Sequence, residues 1–301
     1  MIRTYFWSCV AIALVALPGA PRAQDQMADV QVKTVPVAPG ISMLMGRGGN
    51  IGVSAGKDGV FLIDDEYAPL TDKIRAAIAA LSDKPIRFLL NTHWHGDHTG
   101  GNENLGKAGV VIIAHDNVRK RMSAKQFIAA FNREVPAAPY KALPIITFGD
   151  RVTFHINGAT MVAFHVDNAH TDGDVIIHFR EADVYHMGDI FFNRMFPFID
   201  LSSGGSIDGM IAAASMILGR IDDQTKLIPG HGPLGNKTDL AAYVAMLKTV
   251  RQRVGDAVAK GMTVENFTAS HPLSDLAPEW GKGFLNADRF LKIVYEDLSR
   301  K

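Results

Sequence analysis

Cysteine is almost missing from this chain. Its 301 residues hold one, Cys9, inside an apolar N-terminal stretch that reads as a segment lost on export. The rest has neither a disulfide nor a thiolate, which excludes a cysteine nucleophile and a cysteine metal ligand. A chain of this length can build its core without disulfides. Net charge is missing too: Lys+Arg and Asp+Glu each number 31. Nothing therefore points to nucleic acid or an anionic membrane as a partner. Beyond the N-terminus there is no apolar run long enough to cross a bilayer. Residues 5–17 are nearly continuous apolar sequence after Arg3, and Pro18-Gly19-Ala20-Pro21-Arg22-Ala23 then breaks any helix. This pattern predicts a secretory signal peptide over 1–23, export to the periplasm, and one domain over 24–301 with no membrane attachment after cleavage. The rival reading is an uncleaved N-terminal anchor, because Pro21 occupies a position where cleavage prefers a small residue.

What the chain does have is an ordinary globular balance, 47% hydrophobic and 21% charged. Short apolar runs predict strands at 31–37, 41–45, 51–55, 59–64, 86–91, 110–114, 151–156, 160–166, 174–179, 184–187 and 226–228. Gly56-Lys57-Asp58-Gly59 is a hairpin signal. Helical spacing predicts helices at 70–81, 116–131, 207–218, 238–260 and 283–299, with a loop rich in proline and alanine at 135–144. Strands and helices alternate in both halves, so the expectation is sheets covered by helices, with no repeat and no linker between domains.

The chemistry is concentrated in Asn91-Thr92-His93-Trp94-His95-Gly96-Asp97-His98-Thr99-Gly100-Gly101. Four candidate ligands fall within six residues directly after a predicted buried strand. Imidazole and carboxylate suit zinc and related divalent metals, and loops at strand ends commonly carry function. His170 lies in a loop between strands, Asp189 ends the apolar run into Met187-Gly188, and His231 sits in Pro229-Gly230-His231-Gly232 after a third strand. Singly these read as a turn residue or a helix cap. Together with the first cluster they read as ligands gathered on one edge.

The set resembles the metallo-β-lactamase superfamily, with its HxHxDH motif and later His, Asp and His ligands, over residues 50–233. The resemblance implies an α/β (α+β) fold, an αββα sandwich of two mixed sheets packed face to face with helices outside. It implies two divalent metal ions, Zn2+ first: His93, His95 and His170 on one, Asp97, His98 and His231 on the other, and Asp189 bridging. Metals about 3.5–4 Å apart hold a bridging water as hydroxide at neutral pH and polarise a carbonyl. Asp97 and Asp189 would act in catalysis by orienting that hydroxide and holding the metal spacing. His115 could orient a ligand from outside, while His165, His178 and His186 in strand-like segments read as packing or surface residues.

Substrate is less legible. Cysteine-containing β-lactamases of the family place a thiolate where Asp189 stands, followed by a lysine. Phe192 stands three residues after Asp189 instead, with Arg194 nearby as a substitute. A bridging aspartate is more like glyoxalase II and the lactonases. Phe191, Phe192, Phe196 and Phe198 read as a pocket wall or as ordinary core, Asn193 and Arg194 as substrate contacts, and Gly48-Gly49 as part of a flap or a plain hairpin. The expected function is hydrolysis of a small cyclic amide or ester, a β-lactam first. The alternatives are a lactonase or thioesterase, or a non-catalytic periplasmic metal-binding accessory protein. Glyoxalase II proper fits export poorly, and the inserted nuclease domain and flavin module of other members are not found. The expected partner is a small-molecule substrate.

Overall fold

The computed structural model describes residues 27–300. The expected signal peptide lies outside the described residues, and among them no helix is long and apolar enough to cross a membrane. The strands in chain order are β1 (Lys33–Ala38), β2 (Ile41–Met45), β3 (Ile51–Gly56), β4 (Gly59–Ile63), β5 (Ile86–Leu90), β6 (Val111–His115), β7 (Gln126–Ile128), β8 (Arg133–Val135), β9 (Ile146–Phe148), β10 (Arg151–Ile156), β11 (Ala159–His165), β12 (Val175–Phe179), β13 (Val184–His186) and β14 (Lys226–Ile228). The helices are α1 (Thr71–Ala79), α2 (Gly96–Thr99), α3 (Asn102–Lys107), α4 (Asp116–Met122), α5 (Ile207–Leu218), α6 (Lys237–Ala259), α7 (Val264–Ala269), α8 (Ala277–Trp280) and α9 (Ala287–Ser299).

Two large sheets form the centre. One has seven strands in the order β1-β2-β3-β4-β5-β6-β9, the other five in the order β10-β11-β12-β13-β14. Both are mixed: β4, β5, β6 and β9 run parallel to one another, as do β13 and β14, and the remaining pairs are antiparallel. Strands buried on both faces read as continuous apolar runs, and β4 is the clearest case, with all five residues buried. Its alternate side chains go to different cores. Phe61 and Ile63 meet Met161, Ala163 and Ile177 of the other sheet. Val60 and Leu62 face outward to Ile74 and Ile78 of α1 and Leu105 of α3. The outer face of the second sheet, through Ile176, Tyr185 and Leu227, packs under α5, α6 and α9. The result is the expected αββα sandwich. Each fully buried aliphatic side chain contributes roughly 1.5–3 kcal/mol to holding these layers together.

The hairpin turn at 56–59 closes with Gly56 paired to Gly59. It is tied to the second sheet by reciprocal bonds, Asp58 N donating to Asn157 Oδ1 at 3.0 Å and Asn157 N to Asp58 Oδ2 at 2.7 Å.

Some boundaries differ from expectation. The helix predicted over 116–131 stops at Met122, and residues 126–135 instead form the β7–β8 hairpin. The spacing of Phe127, Ile128 and Phe131 fits a helix, but Asn132 adopts φ +47° and turns the chain back. The final helix begins at Ala287 rather than Gly283, because Asn286 caps it by accepting from Arg289 N. Helices α2, α3, α7 and α8 and strand β9 are additional to the sequence reading.

Candidate metal centre

Five loops leave the same edge of the sandwich and converge. The end of β4 leads into Asp64-Asp65-Glu66, and the end of β5 into residues 91–98. The loop before β12 carries His170, the end of β13 leads to Asp189, and the end of β14 to His231. The parallel arrangements of β4 with β5 and of β13 with β14 set these strand ends side by side.

All seven predicted ligands meet there. His93, His95 and His170 form one group whose ligand atoms lie within 4.8 Å of one another; Asp97, His98 and His231 form a second; His93, His98 and Asp189 form a third that joins them. Asp189 is central: its carboxylate oxygens lie 3.1 Å from His98 Nε2, 3.4 Å from His170 Nε2, 3.5 Å from His231 Nε2 and 3.8 Å from His93 Nε2. His95 points Nδ1 inward, 2.9 Å from His170 Nε2. His93, His98 and His170 are fully buried. The side chains of Asp97 and His231 are 25% and 22% exposed, so the cluster opens on their side.

The outward nitrogens of four imidazoles are held by partners, which fixes ring orientation. His95 Nε2 lies 3.0 Å from Asp200 Oδ2, His98 Nδ1 2.7 Å from Asp64 Oδ2, His170 Nδ1 2.8 Å from the Phe198 carbonyl, and His93 Nδ1 3.1 Å from Thr92 Oγ1. Asp200 is itself fixed by Ser203 Oγ at 2.6 Å. His231 stacks on Phe192, ring centroids 5.1 Å apart. The loop at 46–50 lies against the cluster: Gly49 N donates to the Asp97 carbonyl at 3.0 Å, and Glu66 Oε2 accepts from Arg47 N and Gly48 N.

The charges are set for cation binding. Burial and the neighbouring His98 hold His93 well below the ordinary imidazole value, and burial takes His170 down to about 4. Both are therefore neutral ligands at neutral pH. Burial pushes Asp189 and Asp97 up, but the surrounding histidines overcome it and hold both carboxyls below their ordinary range. Burial likewise opposes charge on His98 and His231; Asp189 and the other carboxylates overcome it, and His231 is carried up to about 9. Protons on these two rings supply positive charge at the place where cations would. One buried nitrogen in the centre, His93 Nε2, has no hydrogen-bond partner. Orphaned buried groups of this kind are costly unless something satisfies them. An all-nitrogen-and-oxygen donor set fits borderline divalent ions such as zinc. The residues thus fit two divalent metals, with His93, His95 and His170 on one, Asp97, His98 and His231 on the other, and Asp189 between.

The two predicted substrate contacts are placed elsewhere. Asn193 is 1% exposed, with Nδ2 donating to the Pro233 carbonyl at 2.9 Å and its backbone N to the His231 carbonyl, so its polar groups serve the His231 turn. Arg194 is exposed, 3.6 Å from Asp239 in the first turn of α6. Phe191 and Phe196 are core residues, while Phe192 and Phe198 touch the metal-centre histidines. His115 stacks on His165, centroids 3.8 Å apart, and takes no part in holding the ligands. His178 stacks on Tyr185, and His186 is fully buried. Sequence reasoning missed Asp64 and Asp200. Three successive acids ending an apolar strand were a usable signal for the first; Asp200, among aromatics in a loop, had none.

Comparison with known proteins places this geometry. The family model described as the metallo-β-lactamase superfamily matches residues 44–242. A hydroxyacylglutathione hydrolase from Polaromonas sp. strain JS666 is 28% identical over 60% of this chain and 65% of its own length. The 2,4-dinitroanisole O-demethylase subunit alpha of Nocardioides sp. strain JS1661 is 22% identical over 70% of this chain and 61% of its own. The chain thus spans less than two thirds of the length of these curated relatives. Among solved structures, a metallo-β-lactamase from Pontibacter korlensis aligns with TM-score 0.59 and 19% identity, covering 72% of this chain and 99% of that one. The DIM-1 metallo-β-lactamase aligns with the same score and identity over 73% and 99%. At that identity the likeness is one of fold. With the family match extending over most of the sandwich and all seven ligands within it, the chain belongs to the metallo-β-lactamase superfamily.

Proposed function

We propose that this protein is an exported, zinc-dependent hydrolase of a small activated acyl compound, with a strained cyclic amide or ester as substrate. The observation that carries this reading is the double ligand group joined through Asp189. When bound, paired divalent ions polarise a carbonyl and make a nucleophile of water at neutral pH. The chain's own residues do the rest. Asp97 and His231 form the open side through which a small carbonyl reaches the cluster. Asp97, held ionised, orients water there, and Asp189 balances charge at the centre. Phe192 against His231 and Phe198 against His95 and His170 keep the flanks apolar, which strengthens every charge interaction within. Export is supported by the N-terminal sequence alone.

A β-lactam remains the first substrate to test, supported by the fold and by the export signal read in the N-terminal sequence. A thioester or lactone is the second reading. It is favoured by the aspartate at position 189 where a thiolate would stand in cysteine-type β-lactamases, and by the hydroxyacylglutathione hydrolases among the sequence relatives. The test is turnover of a chromogenic cephalosporin, a lactone and an acyl thioester by zinc-loaded protein, with Asp189→Ala as control. Turnover of any of them, lost in the variant, supports the hydrolase and ranks its substrates. No turnover of the three by protein holding two ions would overturn it in favour of a metal-binding accessory role.

A further inference from the structure

Two elements outside the large sheets meet beside the metal centre. One is the β7–β8 hairpin, inserted between β6 and β9. The other is the segment leading into α9, which lies beyond residue 242, where the family match ends. The solved neighbours are covered over nearly their whole length yet account for only 72% and 73% of this chain.

A line of aromatic rings joins these elements to the cluster. Phe198 lies 5.7 Å from the His95 ring and 5.6 Å from the His170 ring, centroid to centroid. Phe131, from the hairpin, lies 4.8 Å from Phe198, and Phe284 lies 5.3 Å from Phe131. Exposure rises outward, from 7% at Phe198 to 65% at Phe284. The Arg289 guanidinium packs 5.3 Å from the centroid of the Phe131 ring, so α9 helps fix it. A single exposed apolar side chain needs no explanation. Here the exposed ring is the outer end of a continuous series whose inner end touches two metal-centre histidines. Rings tilted at these spacings present faces and edges suited to another flat apolar group.

We propose that Phe198, Phe131 and Phe284 form a substrate subsite that takes an aryl or similarly flat apolar group on the acyl portion of the substrate, while its carbonyl sits at the cluster. The proposal rests on the hydrolase reading of that cluster. It assigns specificity to the hairpin and the C-terminal segment, and not to Asn193 and Arg194.

The test measures binding rather than turnover. Zinc-loaded full chain is titrated calorimetrically with 2-naphthylacetate and with acetate. The expected result is naphthylacetate binding about tenfold or more tighter than acetate. Phe284→Ala and Phe131→Ala should each weaken naphthylacetate about threefold or more and leave acetate unchanged. Phe284 is too exposed for its truncation to threaten the fold. Absent binding of naphthylacetate, equal binding of the two acids, or wild-type binding by both variants would overturn the subsite. Aryl discrimination in a protein that turns over none of the three test substrates would keep the subsite and sink the hydrolase. Turnover without discrimination would do the reverse.

Discussion

Asp64 grips His98: its Oδ2 lies 2.7 Å from His98 Nδ1, with both side chains fully buried. The same carboxylate accepts from Thr92 N and Thr92 Oγ1, each at 2.7 Å, and Thr92 Oγ1 reaches His93 Nδ1. One residue thus orients a candidate ligand from each of the two groups, one directly and one through a hydroxyl. It does so from φ +63°, a conformation aspartate tolerates better than most side chains. Partners of this kind are worth about 10–100-fold in metal affinity. Asp64→Asn should lose that much in a competition with a zinc chelator while keeping its far-ultraviolet circular dichroism. Unchanged affinity would mean that the cluster orients His98 without help.

Glycines at two turns admit the ligands only because they lack a side chain. A Cβ on Gly230 would stand 2.0 Å from Asp189 Oδ1, and one on Gly49 would stand 2.0 Å from His98 Cε1. Neither neighbour is the loose end of a flexible chain, since both are held inside the cluster. Gly230→Ala and Gly49→Ala should each lower metal content and turnover about tenfold or more, the range expected when ligand orientation is disturbed. Gly96 provides the control within the HxHxDH segment, because a Cβ there meets nothing within 4 Å. Gly96→Ala should retain full metal content. A Gly230→Ala protein that binds both ions normally would show that the His231 turn can move aside.

The charge pattern makes metal uptake a proton-releasing event. Without ions, His98 lies well above the ordinary imidazole value and His231 near 9, so both carry protons at pH 7. Asp97 and Asp189 are already ionised and have none to give. Binding requires neutral imidazole, so zinc must displace the two protons. Titration of metal-free protein with zinc in weak buffer at pH 7 should release about two protons per chain from these rings at saturation, and about one more from the water that the paired ions ionise. Apparent affinity should rise with pH from 7 towards 9. Uptake with no release of acid would contradict the protonated state of both rings.

The sequence disclosed the candidate ligands because most of them share one loop. His93, His95, Asp97 and His98 need only the end of β5 to bring them together, and the three later ligands gain meaning from that first group. Strands such as β4 were visible because burial on both faces leaves an uninterrupted apolar run. Asp64 and Asp200 were not visible as orienting partners, since their contacts to His98 and His95 span 34 and 105 residues. Such pairings exist only once the strands and loops that carry them have come together. The β7–β8 hairpin was hidden for a different reason: Phe127, Ile128 and Phe131 satisfy helical spacing as well as they satisfy a turn. The choice between them rests on Asn132 and on the room Phe131 finds against Phe198. Asn193 resembled a substrate contact by position, but an amide beside a tight glycine turn is more useful holding the turn.

His186 sits beneath the site and sets a pH limit on the fold. It is fully buried at the end of β13, its Nε2 donating to the Asn50 carbonyl at 3.3 Å and its Nδ1 accepting from Gly188 N at 3.3 Å. That pattern requires neutral imidazole, and a second proton on Nδ1 would remove the bond at Gly188, beside Asp189. Burial lowers this group from 6.5 to about 4. A histidine depressed in the folded state contributes stability that is fully present above its unfolded value and is lost as pH falls from about 6.5 through about 4. The size of the loss is on the order of 3 kcal/mol. His93 and His170 are depressed in the same direction, while burial raises Asp174, to about 7, and Asp65, and these carboxyls change stability the opposite way over the same window. Comparison with His186→Gln isolates the one residue. The variant should be less stable at pH 7, through lost packing, yet its denaturation midpoint should fall less steeply between pH 6.5 and 4. Parallel midpoint curves for the two proteins would show that His186 titrates alike folded and unfolded, and that burial does not hold it neutral.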